Sequence, residues 1–191
     1  MRILGIDPGS LRCGYALLED LGGKVPLVRE AGVWVLGAGK PLPDRLAALQ
    51  TGLDALLERQ APDVLSMETC FVNKNVNSAL VLGHARGVVM ARCAGRGMTV
   101  FEYSPSSVKQ SIAGSGRASK ESVADMARRQ LSLQELPDSA DATDALAIAL
   151  THLVASRSPL AQIRPARAKA KGFDIDAYLQ RIGRSGSRPI V

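Results

Sequence analysis

The sequence predicts an α/β domain on a mixed sheet, with three antiparallel strands followed by strands that arrive through helical crossovers. Three observations lead there. The first 36 residues are short apolar runs separated by Gly- and Pro-bearing turns. The apolar period then becomes helical over 43–60. Beyond it, strand-length apolar runs at 63–68 and 98–103 alternate with helical stretches.

Element by element, residues 2–7 (Arg-Ile-Leu-Gly-Ile-Asp) form a short buried strand, which Pro8-Gly9-Ser10 stop with a turn. Residues 13–20 and 25–36 are two further strands with Gly22-Gly23 between them, which makes a meander. Leu46, Leu49, Leu53, Leu56 and Leu57 recur at helical spacing, and Pro62 ends that helix. Asp63–Glu68 is a strand that closes on an acid. Residues 76–94 are rich in Ala, Gly, Val and Leu, lack proline, and read as a helix. Residues 98–103 give a further strand, and helices follow at 105–112, 119–132 and 139–155, the last with Asp138 as its N-cap. Ala142, Ala145, Leu146, Ala149 and Leu153 form an apolar stripe on that last helix. An RNase H-like sheet has this order of elements. From Ser156 onward the text turns to Pro, Arg, Lys, Ser and Gly, so the domain is expected over 1–156 and an extension over 157–191. Ile175, Tyr178, Leu179 and Ile182 space a short helix at 174–183 within that extension.

Charge is unevenly spread. Residues 1–156 hold 16 Lys/Arg against 16 Asp/Glu, and residues 157–191 hold 8 against 2, so the extension carries the whole net +6. Such a tail attracts phosphates without regard to sequence. The balanced body must draw any nucleic-acid specificity from local patches. Cys13, Cys70 and Cys93 show no CxxC spacing, which argues against a zinc site or disulfide framework and fits a reducing compartment. No apolar run approaches the roughly 20 residues that span a bilayer, and the N-terminal run is too short for a signal peptide. A cytoplasmic protein without a membrane partner is expected.

The informative feature is the placement of four carboxylates. Asp7 and Glu68 each close a strand, and ligand sites of α/β sheets form beyond strand ends. Asp141 and Asp144 are three apart in Ser139-Ala-Asp-Ala-Thr-Asp-Ala, which puts both on one helix face, where they repel unless a cation compensates. Singly, each acid has an ordinary reading as a turn cap, a surface charge or a partner of the helix dipole. Jointly they make an all-oxygen donor set without Cys or His. That set suits Mg²⁺, with Mn²⁺ able to substitute, and can hold two ions about 4 Å apart for in-line phosphoryl chemistry.

Five segments then carry a resemblance. Ile3-Leu-Gly-Ile-Asp-Pro-Gly-Ser10, Glu68-Thr-Cys-Phe71 with Asn73-Lys-Asn75, Ser78-Ala-Leu-Val-Leu-Gly-His-Ala-Arg-Gly87, Glu102-Tyr-Ser-Pro-Ser-Ser-Val-Lys109 and Asp141-Ala-Thr-Asp-Ala-Leu-Ala-Ile-Ala149 resemble RuvC-type Holliday junction resolvases. Their order and spacing match over about 1–155. The resemblance implies an RNase H-like fold and a crossover junction endodeoxyribonuclease with Asp7, Glu68, Asp141 and Asp144 as catalytic and metal-binding acids. It implies symmetric paired nicks in four-way junction DNA that leave 5′-phosphate and 3′-hydroxyl ends, in recombination and repair. It also implies a homodimer packed through the helix at 78–90, and work beside the RuvA–RuvB branch-migration complex. Phe71 would stack on a base, and Lys109 and Lys120 would lie near the cut phosphate, with Lys120 neutralising developing charge. Asn73, Lys74 and Asn75 would touch the sugar–phosphate backbone, and Arg117 in the loop Gly114-Ser-Gly-Arg-Ala118 would wrap it. Ser122 departs from the family, where many relatives carry Gln. The competing readings are a catalytically silent junction-binding module, which would not need all four acids, and an RNase H-like nuclease acting on RNA, whose chains lack a segment like 71–87.

Overall fold

The computed structural model describes residues 1–69 and 76–158, and the chain divides after Arg157. Strands β1 (Arg2–Pro8), β2 (Arg12–Glu19) and β3 (Leu27–Val35) come first. Helix α1 (Leu42–Gln60), β4 (Val64–Glu68), α2 (Val76–Gly95) and β5 (Thr99–Tyr103) follow. Helices α3 (Pro105–Ala113), α4 (Lys120–Gln130) and α5 (Ala140–Arg157) close the described chain. The sheet order is β3-β2-β1-β4-β5. The first three strands pair antiparallel and β1-β4-β5 pair parallel, which is the mixed sheet expected. The helix expected at 174–183 lies outside the described residues.

Strand alternation sorts side chains between two cores. Leu4 and Ile6 of β1, Cys13 and Leu17 of β2, and Leu65 and Met67 of β4 pack with Leu49, Leu53 and Leu56 of α1 and Val89 of α2. Ile3 and the β2 residues Ala16 and Leu18 face the other way, into a core with Val108, Ile112, Val123 and α5. Parity along β1 and β4 therefore places Asp7 and Glu68 on the α5 face. Ser66, two residues before Glu68, donates its hydroxyl to the Ile148 carbonyl of α5 at 2.8 Å.

Helix α5 departs from the single stripe expected. Thr143, Ala147, Ile148, Leu150, Thr151 and His152 are buried as well. The sheet covers one side of the helix and α3 and α4 cover others, so a helix that is apolar nearly all round suits the place. Two glycines let it sit that close. A Cβ on Gly5 would stand 2.2 Å from the Ala145 carbonyl oxygen, and one on Gly14 2.0 Å from that of Asp141. The helix begins one residue later than Asp138 would cap: Ser139 offers its carbonyl to the Thr143 amide at 3.0 Å. Ahead of α3 and α4, Ser104 and Ser119 accept the amides of Ser107 and Ser122 and fix where those helices start.

Candidate active site

At the carboxyl ends of β1 and β4 a cleft of about 120 Å³ opens between the sheet and α3, α4 and α5. Its polar walls are Asp7, Glu68, Lys109, Lys120 and Asp144, and its apolar walls include Pro105, Val108 and Val123. Three of the four expected acids thus meet, brought by three elements: β1, β4 and α5. The Cα pairing of β1 with β4 runs from Ile3↔Val64 to Ile6↔Met67, so Asp7 and Glu68 come one step further along adjacent strands.

The electrostatics record that convergence. Burial, then the charges of Asp144 and Glu68, push the Asp7 carboxyl from 3.8 up to about 7. Burial and the Asp144 charge also raise Glu68 above the usual carboxylate range. Lys120 opposes both shifts. Its ammonium donates to Asp144 Oδ2 at 2.7 Å, and that bond raises the lysine in turn. Lys120 is the first residue of α4, so the Ser119 cap sets its position.

Asp141 does not line the cleft. It lies on the same α5 face one turn nearer the helix start, where Oδ2 accepts Arg12 Nε at 2.7 Å. The Arg12 guanidinium also reaches Ser139 Oγ at 3.3 Å. Among the described residues no three His, Cys, Asp or Glu side chains are gathered tightly enough to hold an ion as they stand. Two of the four carboxylates are paired with cations instead.

The donor chemistry nevertheless fits hard divalent cations. Every candidate ligand is a carboxylate oxygen, and Asp7 and Glu68 repel other acids in a half-buried cleft that Lys120, Lys109 and Arg86 only partly neutralise.

Of the remaining expected residues, Lys109 and Lys120 line the cleft. Arg117 is exposed on the α3–α4 loop, away from the cleft lining. The first half of that loop is tied down by Gln110, which donates to the Gly114 carbonyl at 2.9 Å and accepts the Gly116 amide at 3.1 Å. Phe71, Asn73, Lys74 and Asn75 lie outside the described residues.

Sequence reasoning missed three arginines that brace the ends carrying the acids. Arg45 of α1 donates to the Ser10 carbonyl at 2.7 Å, in the turn after Asp7. Arg86 of α2 binds both the Glu68 carbonyl and the Glu102 carboxylate and is nearly buried. Arg12 holds Asp141. Arg86 stands inside the His84-Ala-Arg-Gly87 run noted for its resemblance, a signal that could have singled it out. The partners of Arg12 and Arg45 are remote in sequence and leave no local pattern.

Known proteins share this architecture. The family model described as crossover junction endodeoxyribonuclease RuvC matches residues 3–152, a stretch that contains all four acids. Proteins of that name from Chloroflexus aggregans and Dehalococcoides mccartyi are 46% and 43% identical over 152 residues. Those alignments cover 80% of this chain and 92% and 90% of theirs. The Thermus thermophilus RuvC structure superposes with a TM-score of 0.75 at 33% identity, covering 82% of this chain and 96% of that one. Thermus thermophilus RuvC in complex with Holliday junction substrate gives 0.77 at 33% identity, covering 82% and 95%.

Proposed function

Because the chain belongs to the RuvC family of crossover junction endodeoxyribonucleases, and so is a metal-dependent Holliday junction resolvase, we propose that Asp7, Glu68, Asp141 and Asp144 hold two divalent cations at this sheet edge, Mg²⁺ with Mn²⁺ able to substitute. The observation that carries this reading is the convergence of Asp7, Glu68 and Asp144 on one cleft, with Asp7 raised to about 7 by burial and by its acidic neighbours. Bound there, the ions supply charge for activating water and stabilising the leaving 3′-oxygen of a phosphodiester. Asp7 and Glu68 are held rigidly by paired strands, and Asp144 by a helix locked against β1 and β2. Lys120 adds a mobile positive charge at the cleft that can pass from Asp144 to the phosphate as charge develops there.

The substrate is four-way junction DNA, cut by paired symmetric nicks that leave 5′-phosphate and 3′-hydroxyl ends. Lys109 in the cleft and Arg117 on its loop contact phosphates in this reading. Phe71, Asn73, Lys74 and Asn75 join them on the strength of their sequence resemblance. Symmetric nicking asks for two sites, and the outward face of α2 supports a homodimer. Leu80 is 57% exposed, and a Cβ on Gly83 or Gly87 would meet nothing within 4 Å. Two such helices can approach closely. The basic extension 157–191 adds sequence-independent attraction to DNA. Cooperation with a RuvA–RuvB branch-migration complex and a cytoplasmic location belong to the same reading. Among the described residues no helix is long and apolar enough to cross a membrane.

The test is incubation of a labelled immobile four-way junction with the protein in Mg²⁺, Mn²⁺ or EDTA, beside Asp7→Asn. Paired nicks that require metal and vanish in the variant are expected. Tight binding without cleavage under any metal would instead favour a silent junction-binding module, and cleavage of RNA or plain duplex would reassign the substrate.

A further inference from the structure

Asp141 differs from its three partner acids in having a cation of its own outside the cleft. Arg12 stands at the start of β2, and the close approach of Gly14 to the Asp141 backbone brings the start of α5 alongside that strand. The Arg12 Nε–Asp141 Oδ2 contact is 2.7 Å, and the side chains are 52% and 37% exposed. The second contact, to Ser139 Oγ, is long at 3.3 Å. This guanidinium is therefore held by one strong bond at a wet surface, and it can swing away at little cost.

A divalent ion on that carboxylate oxygen would stand beside the guanidinium charge, and the two cations would repel and compete for its lone pairs. We propose that Arg12 is a positioning residue acting through Asp141: it occupies the Oδ2 oxygen as a built-in competitor and sets how readily a divalent cation is admitted there. The inference rests on the reading that Asp141 is a metal ligand. Removing Arg12 should strengthen metal binding, whereas a purely structural brace would weaken it when lost. The sign therefore separates the two roles.

The experiment titrates the full-length protein with Mn²⁺ in the absence of DNA and follows free Mn²⁺ by electron paramagnetic resonance. Wild type, Arg12→Ala, Arg12→Lys, Asp141→Asn and the double variant Arg12→Ala/Asp141→Asn are compared, with thermal unfolding as the check that each is folded. Arg12→Ala is expected to bind Mn²⁺ about two- to five-fold more tightly, the factor that matches a half-exposed ion pair. Arg12→Lys, which keeps the charge, should stay near wild type. Asp141→Asn should bind more weakly, and adding Arg12→Ala to it should change nothing. An unchanged or weakened affinity in Arg12→Ala, with Asp141→Asn weakened, overturns the competition and leaves the ligand reading standing. A gain that persists in the double variant marks charge acting through space, and it overturns competition for that oxygen. If Asp141→Asn binds Mn²⁺ as wild type does, the ligand reading falls and the inference falls with it.

Discussion

Replacing Asp7 by Asn should make the protein more stable while abolishing its reaction, and the size and pH range of the gain follow from the site. In the unfolded chain Asp7 has the ordinary value of 3.8, and in the fold it stands at about 7. The native state therefore binds this proton more tightly than the unfolded state. Stability falls as pH rises through the interval between the two values. Three units at about 1.4 kcal/mol each give an upper bound of about 4 kcal/mol. Relaxation of Glu68 and Asp144 brings the expected cost to roughly 2–4 kcal/mol. Asn is nearly isosteric and stays neutral. In EDTA the Tm values of wild type and Asp7→Asn should coincide near pH 4, separate as pH climbs, and differ by their full amount above about pH 7. For a domain of this length each kcal/mol corresponds to about 2–4 °C. Differential scanning calorimetry from pH 4 to 8.5 measures this. A variant no more stable than wild type at pH 8 would refute the argument that Asp7 is a buried, repelled carboxylate.

Three other perturbations test separate parts of the site. Lys120→Ala should lower cleavage by roughly 10²-fold through loss of charge stabilisation. Because Lys120 is what holds the Asp7 pKa down, the acid limb of the pH–rate profile should move to higher pH. Gly14→Ala puts a methyl 2.0 Å from the Asp141 carbonyl oxygen and should destabilise by about 1–3 kcal/mol as α5 is pushed off the sheet, read as a lower midpoint in urea. Leu80→Asp on the outer face of α2 should yield a monomer in sedimentation velocity with its Tm preserved, and an unchanged dimer would move the interface elsewhere.

The element order and the meeting of Asp7, Glu68 and Asp144 at one cleft were legible because they rest on local signals. Period changes mark β3 to α1, proline and glycine mark the turns, and a three-residue spacing marks Asp141 and Asp144. The facing of Asp7 and Glu68 was also written in the chain, since parity from the buried Leu4 and Ile6 and from Leu65 and Met67 forces both acids to the opposite face. The full burial of α5 was not legible. Thr143, Ala147, Thr151 and His152 lie outside the apolar stripe, and their burial follows only once α3, α4 and β5 are known to pack around the helix. Nor could spacing reveal that Asp141 turns to Arg12, 129 residues away, because that pairing exists only once Gly14 lets the helix touch the strand.

These two glycines bear on why the site can carry so much like charge. Gly5 and Gly14 allow backbone-to-backbone approach of α5 to β1 and β2, so the helix carrying Asp141 and Asp144 is fixed by contacts that have no polar cost. Ser66 adds a buried hydroxyl bond from β4 to the same helix. Arg86 and Arg45 pin backbone carbonyls beside Glu68 and Asp7 without occupying either carboxylate. The scaffold thus restrains the main chain under each acid and, among the described residues, leaves Asp7 and Glu68 without a direct ion pair, their charge only partly offset by nearby cations. Burial, together with repulsion that would spread a looser cluster, is instead expressed as a raised pKa at Asp7. That is the condition under which a divalent cation gains most by binding, since it relieves repulsion that the packed helix and strands cannot relieve by moving.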